Sequence, residues 1–567
     1  TAQKLHYIFI SVAAVPPPVI TRKQPGRIIK KNANFNKANH KHIANQSSGV
    51  LNTTLSVAAG FKTMLGGENN NGEAGEQVGQ KRSWVLTRRG SAYEEELNSH
   101  LMMERAAVKL AAKVGELLYD YGVELVLFRK HLIDATTPEI INLHKYAAKV
   151  VKRPVDVFTT SKLAEALCQL DLGPSKLDIG RLADEYVAEQ AKDHIAFLKG
   201  KLSSFTKDNQ QPFEARDVIL YGFGRIGRLA ARELIKQAGK GQQLRLRAIV
   251  TRDKRKEDIV KRASLFQNDS VHGAFKGTVD VDVETQTLCL EGQLVKMISA
   301  NNPEDIDYTE FGIKNALVID NTGVFRDKEA LSRHLKAQGV SKVLLTAPGA
   351  GIPNVVYGIN QGTMDVEKEN IFSAASCTTN AIAPVLQIIT ENFGVERGHI
   401  ETIHAYTNDQ NLLDNFHKKN RRGRSAAINM VITETGAAKA VPKVIASLKD
   451  KLTANAVRVP TPNASLAILN LQLDKETTAE EVNNKIREAT LGGSLVAQIY
   501  FSLDPELVSN DVIGNECCSV FDSHATLMGK DPKNVILYVW YDNEFGYTKQ
   551  VIRIAKYVTK VRRKVYF

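Results

Sequence analysis

The stretch VILYGFGRIG, from Val218 to Gly227, decides the fold of this chain. Its first four residues are apolar and predict a short strand, and three glycines then follow in the spacing GxGxxG. This spacing lets the backbone turn tightly and approach a diphosphate, which the N-terminus of the next helix attracts. A helix is predicted over Arg228–Gln237. The stretch therefore predicts a dinucleotide site built around Gly222, Gly224 and Gly227.

Further apolar runs alternate with helical stretches after this fingerprint. The runs at Leu244–Val250, Ala316–Asp320 and Lys342–Thr346 have the length and composition of buried strands. Strands that alternate with helices indicate a parallel, doubly wound sheet. The predicted fold class is therefore α/β, with a Rossmann dinucleotide-binding domain.

The residue after the second strand of such a domain selects between the two nicotinamide dinucleotides. An Asp there binds the ribose 2′-hydroxyl and repels a 2′-phosphate. This chain has Thr251-Arg252-Asp253. Arg252 can pair with a 2′-phosphate, whereas Asp253 can bind the ribose if the turn is one residue longer; a solvated basic loop is the third interpretation. We expect NAD and/or NADP as cofactor, with NADP used at a rate comparable to NAD.

A second group of residues carries reactive chemistry. Cys377 lies between Ser376 and Thr378 and opens an apolar, helix-like run, and His404 follows as an isolated histidine. A helix N-terminus and a nearby imidazole both favour the thiolate form of a cysteine. Taken alone, each residue is typical of a buried structural position. Combined with a dinucleotide site, they predict oxidation of an aldehyde through a covalent thioester.

From about residue 216 onward the chain resembles phosphorylating glyceraldehyde-3-phosphate dehydrogenase. The motifs that carry the resemblance are Gly222–Arg228, Asp320–Phe325, Thr346–Pro348, Ser376–Asn380, His404–Thr407, Arg421–Arg424, Thr435–Lys439, Arg458–Thr461 and Trp540–Glu544. The resemblance implies an α+β catalytic domain after the Rossmann domain. It also implies that the last helix, near Thr548–Val561, returns to the Rossmann domain. The block before residue 210 resembles the helical N-terminal extension of a longer, bacterial-type branch of that family.

The resemblance implies a role for individual residues. Cys377 matches the nucleophile and His404 its base. Residues that match the cofactor site are Gly222, Gly224, Arg225, Ile226, Gly227, Arg252, Thr346 and Asn543. Residues that match the attacking-phosphate site are Ser376, Thr378, Thr435 and Gly436, and those that match the site of the substrate's phosphate are Thr407, Asp409 and Arg458.

The function that follows is the reversible, phosphate-dependent oxidation of glyceraldehyde 3-phosphate to 1,3-bisphosphoglycerate, in glycolysis or gluconeogenesis. Inorganic phosphate is the second substrate, and the family implies a homotetramer. Four positions depart from the family pattern: Tyr221, Arg252, Ala381 and Phe416. They leave the chemistry in place but do not fix NAD as the cofactor. The alternatives are a dehydrogenase of erythrose 4-phosphate or of another semialdehyde, and a non-catalytic protein that binds nucleic acid.

Composition limits the classes of partner. The formal net charge is +13, with 43% hydrophobic and 24% charged residues, as in globular proteins. No motif that reads RNA accompanies the basic charge, so nucleic acid is not the expected partner. The five cysteines form no CxxC pair, and no metal site or disulfide framework is predicted. No apolar run of about 18 residues or more occurs, so no membrane span is predicted.

The predicted domains follow shifts in composition. Residues 1–90 form a basic segment and linker, without any acid before Glu68, which is typical of an organellar transit peptide; a plain disordered tail is the alternative. A mitochondrial or plastid location follows, with the cytoplasm as the alternative. Residues 91–210 are predicted to form an all-α block that holds no catalytic set and is dispensable for the chemistry. Thr137-Pro138-Glu139 predicts a helix start, and helices are predicted around 138–151, 161–170 and 179–199. The Rossmann domain covers 211–376 and the catalytic domain 377–567.

Overall fold

The fold is described from a computed structural model of the chain. The residues that it describes are 91–209, 214–237, 239, 241–252 and 255–567. The predicted basic segment at 1–90 lies outside them, and so do Asp253 and Lys254 beside Arg252. All described residues fall within one compact unit of the chain.

The described residues form twelve α-helices and twenty strands. The helices are α1 (Ser91–Glu116), α2 (Thr137–Val151), α3 (Val157–Leu167), α4 (Ile179–Ala188), α5 (His194–Lys201), α6 (Arg225–Ile235), α7 (Asp258–Gln267), α8 (Lys328–Ser332), α9 (Cys377–Phe393), α10 (Ala437–Ala440), α11 (Ala479–Ala489) and α12 (Phe545–Val558). The first ten strands are β1 (Val123–Leu127), β2 (Lys130–His131), β3 (Ser175–Asp178), β4 (Arg216–Tyr221), β5 (Leu244–Thr251), β6 (Val279–Asp282), β7 (Thr287–Leu290), β8 (Gln293–Ser299), β9 (Ala316–Asp320) and β10 (Val340–Leu345). The other ten are β11 (Ile371–Ser373), β12 (Arg397–Ala405), β13 (Val431–Thr433), β14 (Leu452–Val459), β15 (Ser465–Gln472), β16 (Ile499–Ser502), β17 (Ser519–Asp522), β18 (Leu527–Met528), β19 (Asn534–Tyr541) and β20 (Lys564–Tyr566).

The central sheet has the strand order β11-β10-β9-β4-β5-β8-β7-β6. The strands from β11 to β8 run parallel, and β8, β7 and β6 form an antiparallel meander. Strand β4 lies in the middle, and five of its six residues are buried, as expected for a parallel sheet covered on both faces. The predicted Rossmann domain is confirmed, with α6 beginning three residues earlier than predicted.

The C-terminal sheet has the order β13-β14-β12-β15-β19-β17-β16 and is mostly antiparallel. Helices α9 and α11 pack together on it and share one apolar core with its strands. Helix α12 instead packs against α6, and Val551, Ile554 and Ala555 are buried in the core of the central sheet. The last helix thus contacts the dinucleotide-binding region, as the resemblance implied.

The prediction that the N-terminal block is all-α is wrong. Helices α1 to α5 surround a four-stranded sheet with the order β2-β1-β3-β20. Strand β20 comes from the C-terminal end of the chain and pairs in parallel with β3, Lys564 opposite Ser175. Strands β1 to β3 are two to five residues long, and β3 (SKLD) contains a single apolar residue. Runs this short carry little periodic signal, and a partner strand several hundred residues away leaves none.

Local capping also reshaped the predicted helices of this block. A capping box of Thr136 and Glu139 starts α2, close to the predicted start at Thr137. The single helix predicted over 179–199 is two helices, because Asp178 and Asp193 each accept backbone N–H groups at a new helix start. Each cap satisfies N–H donors that a continuous helix would bond internally, so the chain turns at Asp193.

Candidate active site

A strained turn presents the thiol of Cys377 at the N-terminus of α9. Ala375 has a φ of +55°, which is uncommon for a residue with a side chain, and the Tyr547 hydroxyl donates to its carbonyl at 2.9 Å. Ser376 caps the helix, since its Oγ accepts the N–H of Thr379 at 3.0 Å. Cys377 is the first residue of α9, so its thiol lies where the helix dipole favours negative charge.

His404 faces this thiol from the C-terminal sheet. Its Nε2 lies 3.6 Å from the Cys377 Sγ, within the usual range of a thiol–imidazole contact. The other ring nitrogen, Nδ1, lies 2.7 Å from the Ala405 carbonyl and 2.6 Å from Nη1 of Arg458. His404 and Arg458 are direct neighbours in the parallel pairing of β12 with β14. The sheet register therefore fixes the imidazole between a thiol and a guanidinium.

This arrangement keeps both reactive groups uncharged at neutral pH. Burial lowers the pKa of His404 to about 3, and the neighbouring Arg458 lowers it further in the same direction. Burial raises the pKa of the Cys377 thiol, which Arg458 partly opposes. The expected lowering of the thiol pKa is therefore not found in the free chain. A neutral imidazole cannot stabilise a thiolate as an imidazolium would, and the buried Arg458 keeps the His404 imidazole neutral.

The residues matched to the substrate's phosphate lie around the same histidine. Arg458 donates from Nη1 to the Ala405 carbonyl at 2.8 Å, while its Nε is buried without a partner. Thr407 bonds Asp409, and Arg422 forms an ion pair with that carboxylate at 2.5 Å. Arg422 lies in a motif that carried the resemblance but had no assigned role. Together these groups provide two guanidiniums beside the reacting thiol.

The residues matched to the attacking phosphate lie at two helix starts. Thr378 and Ser376 begin α9, and the Thr378 hydroxyl bonds the Tyr541 hydroxyl at 3.0 Å. Thr435 and Gly436 precede α10, which packs against α9 and β14. The Oγ of Thr435 accepts the N–H of Ala437 at 3.3 Å. The fold thus brings both pairs to the same side of α9.

The glycine fingerprint has the shape that a diphosphate requires. Gly222 has a φ of +97°, and a Cβ on Gly227 would lie 2.3 Å from the Gly222 carbonyl oxygen, so both positions require glycine. A Cβ on Gly224 would meet nothing within 4 Å, and no side chain caps α6. The first N–H groups of α6 are therefore open to an anion. Ile226 follows in the same turn and packs against the central core.

Three further residues are matched to the cofactor, and two of them form bonds to neighbouring segments of the protein. Arg225 does not extend into the open space but pairs with Glu544 at 2.6 Å and with Asp269 at 3.1 Å. The hydroxyl of Thr346 donates to the Asp320 carbonyl at 3.0 Å. Arg252 is exposed just after β5 and forms no ion pair within the described ranges.

Asn543 is connected to the strand that carries the histidine. Its Oδ1 accepts the Ser465 hydroxyl at 2.9 Å, and the Ser465 Oγ accepts the N–H of Ala405 at 3.1 Å. Sequence reasoning missed Ser465, which lies in no motif. It also missed the role of Tyr547, whereas Tyr541 was part of the quoted Trp540–Glu544 motif. Only the packing of β15, β19 and α12 around β12 reveals these contacts.

Comparison with known protein families identifies the dinucleotide-binding domain and the C-terminal domain. Residues 216–328 match the family model described as the glyceraldehyde 3-phosphate dehydrogenase NAD-binding domain, and residues 376–543 match the C-terminal domain of the same enzyme. A glyceraldehyde-3-phosphate dehydrogenase-like protein of Pseudomonas aeruginosa is 48% identical over 448 residues, 78% of this chain and 96% of the relative. The chain belongs to the glyceraldehyde-3-phosphate dehydrogenase family. It is an oxidoreductase of that family and uses NAD(P).

Two other relatives match a shorter part of this chain than the Pseudomonas relative does. Glyceraldehyde-3-phosphate dehydrogenase 2 of Nostoc is 40% identical over 345 residues, 60% of this chain and 98% of its own length. The chloroplastic enzyme A of Zea mays is 42% identical over 365 residues, 64% of this chain and 87% of its own. The Pseudomonas match is longer than the segment from residue 216 to the end, so it extends into the N-terminal block.

Among the described residues, no helix combines the length and the hydropathy that a membrane span needs. The same residues contain no group of three or more His, Cys, Asp or Glu side chains arranged to hold a metal ion.

Proposed function

We propose that this protein catalyses the reversible, phosphate-dependent oxidation of glyceraldehyde 3-phosphate to 1,3-bisphosphoglycerate with NAD(P). The observation that carries the proposal is the 3.6 Å contact between the Cys377 Sγ and the His404 Nε2, with the Arg458 guanidinium against the same imidazole. A thiol, a base and a phosphate-binding cation meet at one point beside a dinucleotide-binding domain. This combination suits an aldehyde that carries its own phosphate.

Cys377 and His404 perform the bond changes. The Cys377 Sγ bonds the aldehyde carbon, while His404 takes the thiol proton and returns it to the carbonyl oxygen, giving a thiohemiacetal. The nicotinamide cofactor, when bound, accepts the hydride from this carbon. His404 takes the hydroxyl proton as the hydride leaves, and a thioester remains on Cys377. Inorganic phosphate then attacks the thioester carbon, the carbon–sulfur bond breaks, and the thiol is restored with the proton from His404.

Arg458 links recognition of the substrate to activation of the base. In the free protein, its Nη1 lies 2.6 Å from the His404 Nδ1, and the positive charge lowers the pKa of the imidazole. A bound phosphate dianion pairs with the guanidinium and offsets its field at the imidazole. The pKa of His404 then rises toward its ordinary value, and the base gains strength when substrate is in place. Thr407 and Asp409 complete this subsite.

The cofactor is held by the fingerprint and by residues near the thiol. The N–H groups of α6 and the glycines Gly222, Gly224 and Gly227 hold the diphosphate. Asn543 orients the nicotinamide, and Arg252 receives a 2′-phosphate when the cofactor is NADP. The homotetramer and the organellar location stay predictions; relatives named as chloroplastic, from Zea mays and Arabidopsis thaliana, agree with a plastid.

One assay tests the proposal. Initial rates are measured with glyceraldehyde 3-phosphate and with erythrose 4-phosphate, using NAD and NADP, with and without inorganic phosphate. We expect the highest kcat/KM with glyceraldehyde 3-phosphate and formation of an acyl phosphate only when phosphate is present. A faster reaction with erythrose 4-phosphate would assign the second substrate instead. Turnover that is independent of phosphate would overturn the proposed reaction.

A further inference from the structure

A small cavity lies where the N-terminal block meets the C-terminal sheet and α12. Its polar lining comprises Arg129 and Lys130 from the β1–β2 turn, Tyr146 of α2, Tyr500 of β16, Glu516, and Arg553 of α12. Its volume is about 20 Å³, enough for a compact ion or one to two waters but not for a nucleotide. None of the residues matched to the reaction lines it.

Carboxylates offset the cations in this cavity only through space: Asp178 acts on Arg129, and Glu516 acts on Lys130. Within the described part of the chain, neither arginine nor Lys130 forms an ion pair. The Nη1 of Arg129 reaches only the Ile499 carbonyl, at 3.5 Å, and its Nε is buried without a partner. The Nη1 of Arg553 reaches only the Glu516 carbonyl, also at 3.5 Å. Both contacts are at the limit of hydrogen bonding, so both guanidiniums have unused donors.

The one carboxylate at the cavity is already paired. Glu516 accepts from the Lys549 ammonium at 3.1 Å and lies 3.6 Å from the His131 ring. Lys549 also pairs with Glu233 at 2.7 Å. The carboxylate is therefore engaged on the side of α12, and it acts on Lys130 only through space, without an ion pair.

Positive charge also exceeds negative charge in the surrounding junction. In addition to Arg129, Lys130 and Arg553 of the cavity, the cations nearby are Lys176, Lys549, Lys556 and Arg563, whereas the acids are Glu124, Asp178, Glu233 and Glu516. Burial lowers the pKa of Lys556 to about 7, and Arg563 and Lys176 add to this effect against Glu124. Buried cations without matching anions are costly, so an anion at this junction is stabilising.

The turn that supplies Arg129 is itself strained. Phe128 and Arg129 are the two central residues of the β1–β2 hairpin, and both have positive φ, at +40° and +73°. Such turns normally contain Asn-Gly, because side chains with a Cβ disfavour this conformation. Asp178 stabilises the turn by accepting the N–H of Phe128 at 2.8 Å and that of Arg129 at 3.1 Å. The strain keeps the Arg129 side chain against the C-terminal sheet.

We propose that this cavity binds a compact oxyanion of the phosphate class, either inorganic phosphate or the phosphate group of a small metabolite. Arg129 and Arg553 hold its oxygens through paired N–H donors, and Lys130 adds a third positive charge. The ion thereby connects the N-terminal block to the C-terminal sheet and α12. The site is separate from the phosphate subsites proposed beside Cys377.

The test uses the full chain with Arg458→Gln, which weakens phosphate binding beside His404. The probe is inorganic phosphate, titrated by calorimetry and by thermal unfolding against potassium chloride of equal ionic strength. An ion that binds only the folded chain raises the unfolding midpoint. We expect phosphate to raise it, and Arg129→Gln to increase the dissociation constant at least tenfold. The matched control is Arg105→Gln, which removes an exposed arginine of the same block.

Two outcomes would overturn the proposal: equal phosphate binding in the Arg129→Gln and Arg105→Gln proteins, or equal stabilisation by chloride and phosphate. If Arg129→Gln does not fold, Lys130→Gln and Arg553→Gln provide the same comparison. A parallel titration with glycerol 3-phosphate identifies the source of the ion. Binding of the ester indicates a phosphorylated metabolite, and its exclusion while phosphate binds indicates the inorganic ion.

Discussion

The N-terminal block and the central dinucleotide-binding sheet are both built on parallel strands, yet they differ in how the chain forms them. In the central sheet, β4 and its neighbours are buried strands of five to eight residues, each close in sequence to its partner or to a crossover helix. In the block, strands of two to five residues need β20, from the other end of the chain, to complete the sheet. The central sheet is therefore formed by strands that local sequence defines, whereas the sheet of the N-terminal block depends on a distant segment.

The two regions also differ in what they contribute. The central sheet presents an open helix N-terminus beside the Cys377–His404 pair, whereas the block presents cations and aromatic rings to the C-terminal sheet. Tyr146 of the block stacks on Tyr500 at 4.9 Å between ring centres. The Nostoc relative aligns over 98% of its length with 345 residues of this chain, too few to cover both the whole block and the two domains that follow it. The family fold therefore does not need the block, and its dispensability for chemistry stays a prediction.

The largest contrast is expected between two cysteines, Cys377 at the candidate active site and Cys168 in the N-terminal block. Cys377→Ser should lower kcat/KM by roughly four orders of magnitude or more, because a neutral hydroxyl is a much weaker nucleophile than a thiolate. Cys168→Ser in the block should have wild-type activity, since the hydroxyl can keep the bond to the Ala164 carbonyl. Steady-state rates of both purified proteins decide this. Near-normal turnover by Cys377→Ser would remove the covalent mechanism.

The next largest effect is expected at Arg458, which acts on the site through its charge and takes no part in the bond changes. Arg458→Gln should lower kcat/KM about ten- to a hundredfold, since a charge-assisted bond to phosphate contributes roughly 1.5–3 kcal/mol. Removing the cation also favours the protonated imidazole, so the pKa of His404 should rise above about 3. The pH dependence of Cys377 alkylation in the variant and in Arg105→Gln measures the shift. An unchanged profile would show that Arg458 does not control the base.

A third change tests the attachment of the block. The Tyr566 hydroxyl bonds Glu185 at 2.6 Å, and its ring packs at 6.0 Å from Phe205. Tyr566→Ala should cost about 2 kcal/mol of unfolding free energy, from lost packing and one charged hydrogen bond. Tyr566→Phe retains the ring and should lose about half as much. Chemical denaturation of the wild-type, Tyr566→Ala and Tyr566→Phe proteins measures the three free energies of unfolding. Equal stability of the Tyr566→Ala and wild-type proteins would contradict the role given to β20.

The smallest effect concerns cofactor choice at the edge of the central sheet. Arg252 is exposed, so its pairing with a 2′-phosphate is screened by solvent and should contribute only about tenfold in affinity. Arg252→Asp should therefore weaken NADP about tenfold or more and leave NAD nearly unchanged. Dissociation constants for both dinucleotides measure this. If the unmutated enzyme already rejects NADP a thousandfold, Asp253 is the residue that binds the ribose.

Sequence reasoning predicted the parts whose physical cause is local. Gly222 and Gly227 are glycines because the turn admits no Cβ, and this constraint is visible in the spacing itself. The bounds of β5 and β9 were predicted to within one residue. The candidate site was predicted through motifs, and the fold brings Cys377, His404 and Arg458 into contact. Ser465 was not predicted, because a serine between apolar residues carries no distinctive signal.

The sequence by itself determined the central sheet and the glycine turn and predicted Cys377 as the reacting thiol, since each depends on residues close together in the chain. Tertiary structure alone decided the charge state of the site. The pKa of His404 depends on burial and on Arg458, which the pairing of β12 with β14 places beside it. Tertiary structure also decided how the sheet of the block is completed, because β20, from a distant part of the chain, pairs with β3. Long-range pairing and burial are properties of the packed molecule, and no local pattern encodes them.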